Sequence, residues 1–141
     1  MSDLAGFSRN MRARGAAVAD RGPKLVRKVA LAVDQVLVLG TPVDTGRARS
    51  NWQVQIGAAP TGTLPEPATP QAGVQRAFDN ARAVIPLAGA DGVELHITNN
   101  LDYIGRLNEG WSAQAPAGYV EAAVFAGVHA IVDAEPLAEI R

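Results

Sequence analysis

One segment, bounded by Pro23 and Gly40, constrains the fold of this chain more than any other. Its apolar residues recur at the three- and four-residue spacing of a helix with one buried face. They are Leu25, Val26, Val29, Ala30, Val33, Val36 and Leu37. Proline is favoured at the first helical position and glycine just beyond the last. Pro23 and Gly40 therefore mark the same helix that the apolar spacing predicts. The sequence therefore predicts an amphipathic helix here, with a core packed against its apolar stripe.

Two further apolar residues of that helix, Leu31 and Val38, fall outside the stripe. They lie one heptad apart, on the side that carries Arg27 and Asp34. Such a strip is covered either by another part of the same domain or by a neighbouring subunit. The second alternative gives an interface hypothesis, to which two residues of a later loop are added. Its residues are Leu31, Val38, Leu64 and Pro65.

Two short segments alternate apolar and polar residues with the period of a strand that buries one face. The apolar positions are Trp52, Val54 and Ile56 in the first segment and Val93, Leu95 and Ile97 in the second. The alternation places His96 on the polar face of the second strand, which Asn99 and Asn100 terminate. Helical spacing predicts further helices over 3–21, 47–49, 70–85, 101–107 and 120–133. The predicted fold class is α+β, with a small antiparallel sheet packed against two or three amphipathic helices.

Residues 57–70 contain four prolines, two glycines and three threonines, which predicts a loop or a flexible arm. The usual connection between elements has about 4 to 6 residues. Longer loops are typically either functional or disordered. This proline-rich loop is therefore a candidate contact region.

Gly127 lies on the apolar face of the last predicted helix. A glycine inside a helix costs about 1 kcal/mol relative to alanine. Because it has no side chain, it also allows another backbone to approach closely. Its position therefore predicts a close contact on that face.

Composition excludes several classes of protein. The chain has 141 residues, 48% of them hydrophobic, which predicts a single domain over 1–141, with 1–22 as a basic helix or arm. It contains no cysteine, so thiol catalysis, zinc ribbons and iron–sulfur clusters are excluded. His96 and His129 are far apart, and no metal-ligand spacing, nucleophile elbow or phosphate-binding glycine motif is present. We therefore expect no catalytic residues, metal or cofactor, and no apolar run has the length of a membrane span.

The tripeptide Asp44-Thr45-Gly46 offers one remote enzymatic alternative, because aspartic proteases use the same tripeptide. One copy per chain would require a dimer whose two aspartates share a proton. In those proteases the tripeptide lies in an all-β framework, whereas here it follows a strong helix. Arg47 and Arg49 come directly after it, and nearby cations favour an ionised carboxylate over a shared proton. The competing interpretation is a turn in which Asp44 or Thr45 caps the next helical turn.

Charge is distributed unevenly along the chain, although the net charge is only −1. Residues 1–50 carry nine basic and four acidic residues, and residues 51–141 carry four basic and ten acidic residues. The two parts therefore have net charges of +5 and −6. Either their solvated faces simply differ, or copies of the chain contact each other head to tail. The nearly neutral total does not indicate specific nucleic-acid binding.

Two segments resemble the signature of a viral protein family. Residues 41–52, with the sequence Thr-Pro-Val-Asp-Thr-Gly-Arg-Ala-Arg-Ser-Asn-Trp, resemble the pattern P-V-D-T-G-x-L-x-x-S/N-W of small tailed-phage neck and tail-completion proteins. Residues 97–118 are similar to the same family's pattern N-x-L-x-Y-A-x-x-L-E-x-G-x-S-x-Q-A-P-x-G. The family includes the lambdoid minor tail protein Z and related head–tail connector components. The chain departs from the patterns at Ala48, at Ile104 and at Asn108, where the pattern has a glutamate that appears one place later as Glu109.

The resemblance implies a structural virion protein of the phage neck or tail, present in the host cytoplasm during assembly. Such a protein joins the DNA-filled head to the tail as part of a homo-oligomeric ring. Its neighbours would be head-completion or portal-side proteins and tail-tube or tail-terminator proteins, with genomic DNA passing nearby and no membrane involved. The alternative within the same class is a tail terminator, which caps the tail tube.

The resemblance also assigns structural roles to individual motif residues. These are Pro42, Asp44, Thr45, Gly46, Trp52, Asn100, Tyr103, Glu109, Gly110, Pro116 and Gly118. In this interpretation Tyr103 packs within the domain, while Gly110 and Gly118 permit turns.

Overall fold

The computed structural model describes residues 23–88 and 93–134. In chain order the elements are α1 (Pro23–Gly40), α2 (Arg47–Ser50), β1 (Gln53–Ile56), α3 (Pro70–Val84), a 3₁₀ turn (Ile85–Leu87), β2 (Leu95–Thr98), α4 (Ile104–Asn108) and α5 (Tyr119–Val132). The predicted fold class is confirmed, since a two-stranded antiparallel sheet accompanies five α-helices within these ranges. The helix or arm predicted over 1–22 lies outside the described residues.

The contact between α1 and α5 is the most extensive between any two described elements. A Cβ atom added at Gly127 of α5 would lie 2.6 Å from the Cα atom of Val33 in α1, and Val33 itself is completely buried. The two backbones can approach this closely only because residue 127 is a glycine. The close approach predicted for Gly127 is therefore confirmed, and α1 is its partner.

The sheet consists of β1 and β2 in antiparallel register, with Val54 opposite Ile97 and Gln55 opposite His96. Val54 and Ile97 point into the hydrophobic core. Asn80 of α3 binds the backbone of β1, because its Oδ1 accepts from the Val54 amide (2.7 Å) and its Nδ2 donates to the Val54 carbonyl (3.3 Å). A side chain of α3 thus pairs with strand groups that β2 does not reach, which protects the edge of a small sheet.

The buried face of α1 is wider than the sequence predicts. Val38 and Asp34 are completely buried, whereas Leu31 is 36% exposed. Besides α5, α1 also contacts α3 and the 3₁₀ turn, and Arg27 donates to the Ala88 carbonyl (3.0 Å). The assignment of Val38 to an oligomer interface is therefore wrong, because this side chain is completely buried within the subunit.

His96, predicted to lie on the polar face of the second strand, is buried, since only 8% of this residue is exposed. The loop after β1 covers one end of the polar face of the sheet, whereas Gln55 on that face stays exposed. Gln53 donates to the Gly62 carbonyl (2.8 Å), and Asn100 donates to the carbonyls of Pro60 (2.8 Å) and Gly62 (3.1 Å). Val93, predicted to lie on the buried face, is exposed and precedes β2.

The proline-rich loop is held against the domain and is not a free arm. Asn51 accepts from the Leu64 amide (2.7 Å) and donates to the Leu64 carbonyl (3.1 Å). Arg76 of α3 donates to the Pro65 carbonyl (2.8 Å), and Pro67 is buried. Of the two loop residues in the interface hypothesis, Leu64 is half-buried and Pro65 is exposed.

Candidate functional site

The two segments that carry the family resemblance meet at a cleft of about 270 Å³, which we call the motif cleft. It lies between the turn after α1 and the region around α4. Its lining residues are Pro42, Val43, Asp44, Thr45, Gly46, Arg47, Ala48, Tyr103, Leu107, Ser112 and Gln114. Both halves of the resemblance therefore contribute to a single surface feature.

The turn on one side of the motif cleft is anchored to the end of α1. The Thr41 hydroxyl donates to the Leu37 carbonyl (2.7 Å) and accepts from the Trp52 indole nitrogen (2.8 Å). Arg49 donates to the carbonyls of Thr41 (2.7 Å) and Leu39 (2.9 Å). Carbonyls at a helix end lack partners within the helix, so Arg49 and Thr41 together cap α1 and fix the direction of the turn.

Gly46 allows the same turn to lie directly against α3. Its φ angle is +90°, and an added Cβ atom would lie 2.7 Å from the Pro70 Cα atom. A Cβ atom at Gly73 would lie 2.7 Å from the Gly46 carbonyl oxygen. The Thr45 hydroxyl accepts from the Arg47 amide (3.3 Å), so Thr45 and not Asp44 is the residue whose side chain bonds to the start of α2. Asp44 is exposed at the cleft.

Gln114 joins the two halves of the motif cleft. Its Oε1 accepts from the Val43 amide (2.8 Å), and its Nε2 donates to the Val43 carbonyl (2.8 Å). Asn99 adds a buried connection, because its Nδ2 donates to the Ala48 carbonyl (2.9 Å). Both amide side chains bond to backbone groups that are distant in sequence, as a neighbouring strand would.

The region after α4 is organised by Asn108. Its Oδ1 accepts from the Val120 amide (2.8 Å), and its Nδ2 donates to the Glu121 carboxylate (2.9 Å). Its backbone carbonyl accepts from the Gly118 amide (2.7 Å). The first amides of a helix have no partner within the helix, so the bond to Val120 satisfies one of them. Asn108 therefore fixes the start of α5 beside the end of α4.

Two glycines adopt left-handed turns on either side of the segment between α4 and α5. They are Gly110 (φ +93°) and Gly118 (φ +79°), at the positions that the resemblance implies for turns. Asn108 is buried, whereas Glu109 and Pro116 are exposed. The contacts between the end of α4 and the start of α5 are therefore made by Asn108 and not by the glutamate that follows it.

Three charged groups surround Tyr103, which is half-buried and packs against the core. Burial raises the pKa of the Tyr103 hydroxyl, the Arg47 guanidinium lowers this pKa, and the carboxylates of Asp44 and Glu66 raise it. Arg47 is held in place by the bond from its Nε to the Leu64 carbonyl (3.2 Å). Tyr103, the fixed cation Arg47 and the acidic Asp44 therefore line the cleft, and the Glu66 carboxylate acts on Tyr103 from outside the lining.

The other residues predicted to be functional lie elsewhere. Trp52 is completely buried behind the turn, and Asn100 holds the proline-rich loop. Leu31, Leu64 and Pro65 do not line the motif cleft.

Several polar residues that shape this region were not predicted to do so from the sequence. These are Thr41, Asn51, Asn99, Asn108 and Gln114. Asparagine after a strand or a helix is an ordinary turn signal, and that is how the pair Asn99 and Asn100 is interpreted above. Nothing in the sequence distinguishes an exposed turn asparagine from one that bonds to a distant backbone.

Asp34 is the least expected polar residue of the core. It is completely buried, and neither carboxylate oxygen has a hydrogen-bond partner in the described part of the chain. Burial raises its pKa from 3.8 to about 7. The group lies on α1, away from the lining of the motif cleft.

The described residues contain neither a group of metal ligands nor a membrane-spanning helix. Within 23–88 and 93–134, no three histidine, aspartate or glutamate side chains are grouped closely enough to hold a metal ion. In the same ranges, no helix combines the length and the apolar character needed to cross a membrane.

Comparison with known proteins adds no relative. No family model matches the chain, and no match was found among curated proteins or solved structures.

Proposed function

We propose that this protein is a structural component of a tailed-phage neck, where it joins the DNA-filled head to the tail as part of a homo-oligomeric ring. The contact between Gln114 and Val43 is the observation that supports this proposal most directly. These residues are 71 positions apart, and each belongs to one of the two segments that resemble the family. The two segments contact each other in the folded chain. The two short matches therefore belong to one structural unit, which supports reading them together as a single resemblance.

Exposed apolar side chains provide further support for a protein that works through contacts. On α1 the exposed large apolar residues are Leu31, Val36 and Leu39. Elsewhere in the described chain, Trp111 and Phe125 are also largely exposed. Large apolar and aromatic residues are enriched in protein interfaces. The interface hypothesis is therefore revised so that Leu39, 54% exposed, replaces Val38 beside Leu31.

The proposal is tested with phage particles assembled without the protein. A stop codon at Trp52 in the phage genome removes both strands, α3 to α5 and the side of the motif cleft that contains Tyr103 and Gln114. We expect filled heads and tails of normal length to accumulate separately, and purified wild-type protein to join them when added. Normal infectious particles in the absence of the protein would refute the proposal.

The same experiment separates tail completion from the tail-terminator alternative. A terminator caps the tail tube, so its absence should give tails of irregular length. Electron microscopy of the accumulated tails measures this directly. Tails of uniform length would favour tail completion.

A further inference from the structure

We propose that the motif cleft binds an arginine side chain from the segment 9–21 of a second copy of this chain. Copies would then contact one another head to tail. This inference rests on the proposed function, because it names the contact through which a ring would close.

The lining of the motif cleft matches the chemistry of an arginine side chain. Pro42, Ala48 and Leu107 offer apolar surface for the aliphatic stem. The half-buried Tyr103 ring offers a face on which a guanidinium can stack, and the exposed Asp44 carboxylate can accept its hydrogen bonds. Arginine is the side chain that uses all three kinds of contact at once.

Local charge favours a cationic occupant. Neither Asp44 nor Glu66 forms an ion pair with another residue in the described ranges. Arg47 is the one cation whose charge acts on Tyr103 there, and the Leu64 carbonyl fixes its position. Two carboxylates and one guanidinium leave a net charge of −1 around the ring. An added guanidinium would neutralise this charge.

The chain itself carries a matching basic segment. Its arginines are Arg9, Arg12, Arg14 and Arg21. Between 9 and 21 there is a single acidic residue, Asp20. The net charges of +5 and −6 in the two parts of the chain have the signs that this contact requires.

The proposed ring favours a second copy as the source of the segment, because a ring needs a contact that repeats from one subunit to the next. Segment 9–21 precedes the first residue of α1, whereas the motif cleft follows its last residue. A helix of 18 residues separates its two ends by about 27 Å. A contact between segment 9–21 of one subunit and the motif cleft of the next is heterologous, and repetition of such a contact can close into a ring.

The first test measures self-association of the full-length protein by sedimentation at several salt concentrations. The cleft variant carries Asp44→Asn and Glu66→Gln, and the control variant carries Asp79→Asn and Asp133→Asn, which remove the same charge outside the cleft. We expect the dissociation constant to rise at least about tenfold in the cleft variant and to stay within about twofold in the control. A monomeric wild-type protein, or equal association of both variants, would overturn the inference.

A mixing experiment tests the head-to-tail direction. A segment variant carries Arg9→Gln, Arg12→Gln, Arg14→Gln and Arg21→Gln, with its fold checked by circular dichroism. Because the segment variant keeps an intact cleft and the cleft variant keeps an intact segment, the two should pair with each other. Assembly should stop at a heterodimer, seen by native mass spectrometry. Larger mixed assemblies would contradict the contact.

A peptide probe identifies the occupant independently of assembly. A synthetic peptide of residues 8–22 should shift the Tyr103 ring resonances in the wild-type protein and not in the cleft variant. A peptide with glutamine at the four arginine positions should cause no shift. If the peptide of residues 8–22 causes no shift, or if the glutamine peptide causes the same shift, the inference is wrong. This holds even if phage lacking the protein accumulate separate heads and tails. If the arginine peptide binds but phage lacking the protein still form normal particles, the proposed function is refuted and the inference about the cleft is not.

Discussion

Asp34 is a carboxylic acid in the core that contributes to stability only while it keeps its proton. Burial raises its pKa from 3.8 to about 7 in the folded chain. Between these pH values the folded state binds more protons than the unfolded state, so the free energy of unfolding falls as pH rises. The contribution is complete below pH 3.8 and is lost as pH passes about 7. A shift of this size corresponds to roughly 4 kcal/mol.

The first prediction concerns Asp34→Asn. The variant should be more stable than the wild type at pH 8, because no charge is buried, and it should lose most of the fall in stability between pH 5 and 8. Urea unfolding at several pH values measures both effects. Asp79→Asn, which changes an exposed acid, is the control and should keep the wild-type pH dependence. An unchanged pH profile in Asp34→Asn would show that another group is responsible.

The second prediction concerns Gly127→Ala. The added methyl group would lie 2.6 Å from the Val33 Cα atom, so α1 and α5 must move apart. Overpacking of this kind typically costs about 1–3 kcal/mol, which exceeds the gain of about 1 kcal/mol in helix propensity. Gly40→Ala is the matched control, because nothing lies within 4 Å of its added Cβ atom. Thermal unfolding should show a lower midpoint for Gly127→Ala alone.

At the scale of elements, long-range polar side chains decide how the loops lie. Asn51 and Asn100 fix the proline-rich loop, while Gln114 connects the turn after α1, and Asn99 connects α2, to the second motif segment. Each bonds to a backbone group of another segment, most often one without regular structure. The loops therefore gain fixed positions without forming helices or strands.

The third prediction is that Asn51→Ala releases the proline-rich loop. The substitution removes both bonds to Leu64 and the bond to the Arg47 carbonyl (2.8 Å). Loss of partners for buried polar groups should lower the free energy of unfolding by about 2 kcal/mol. Limited proteolysis should cut within 57–69 much faster than in the wild type. Gln55→Ala, at an exposed position of β1, should leave the loop resistant.

At the scale of the whole molecule, α1 contributes both to the core and to the surface. One side of it is covered by α5, α3 and the 3₁₀ turn, whereas Leu31, Val36 and Leu39 remain exposed. The subunit can therefore fold around this helix and still present apolar side chains to a neighbour.

The fourth prediction separates these two roles. Leu31→Asp with Leu39→Asp should leave a folded subunit that no longer assembles, because both side chains are exposed. Val38→Asp should instead unfold the subunit, or cost about 3 kcal/mol or more, since it places an unpaired charge in the core. Circular dichroism reports the fold and native mass spectrometry reports assembly. If the variant with Leu31→Asp and Leu39→Asp still assembles, α1 is not part of the interface.

Local pattern was sufficient to determine much of this structure. The boundaries of α1, the capped start of α3 at Thr69 and Pro70, and the left-handed turns at Gly110 and Gly118 follow from short-range preferences that act wherever the chain folds. The sequence also sufficed to predict the α+β class, because helical and strand periods alternate along it.

Other properties were decided only by tertiary structure. Periodicity identifies the face of α1 with the most apolar residues. It cannot show that Asp34 and Val38, which lie outside that face, are also buried. For the same reason it could not show that His96 would be buried, or that Gln114 would reach Val43 and complete the motif cleft. Burial and long-range hydrogen bonds depend on which segments arrive from elsewhere, and that information is not contained in the spacing of neighbouring residues.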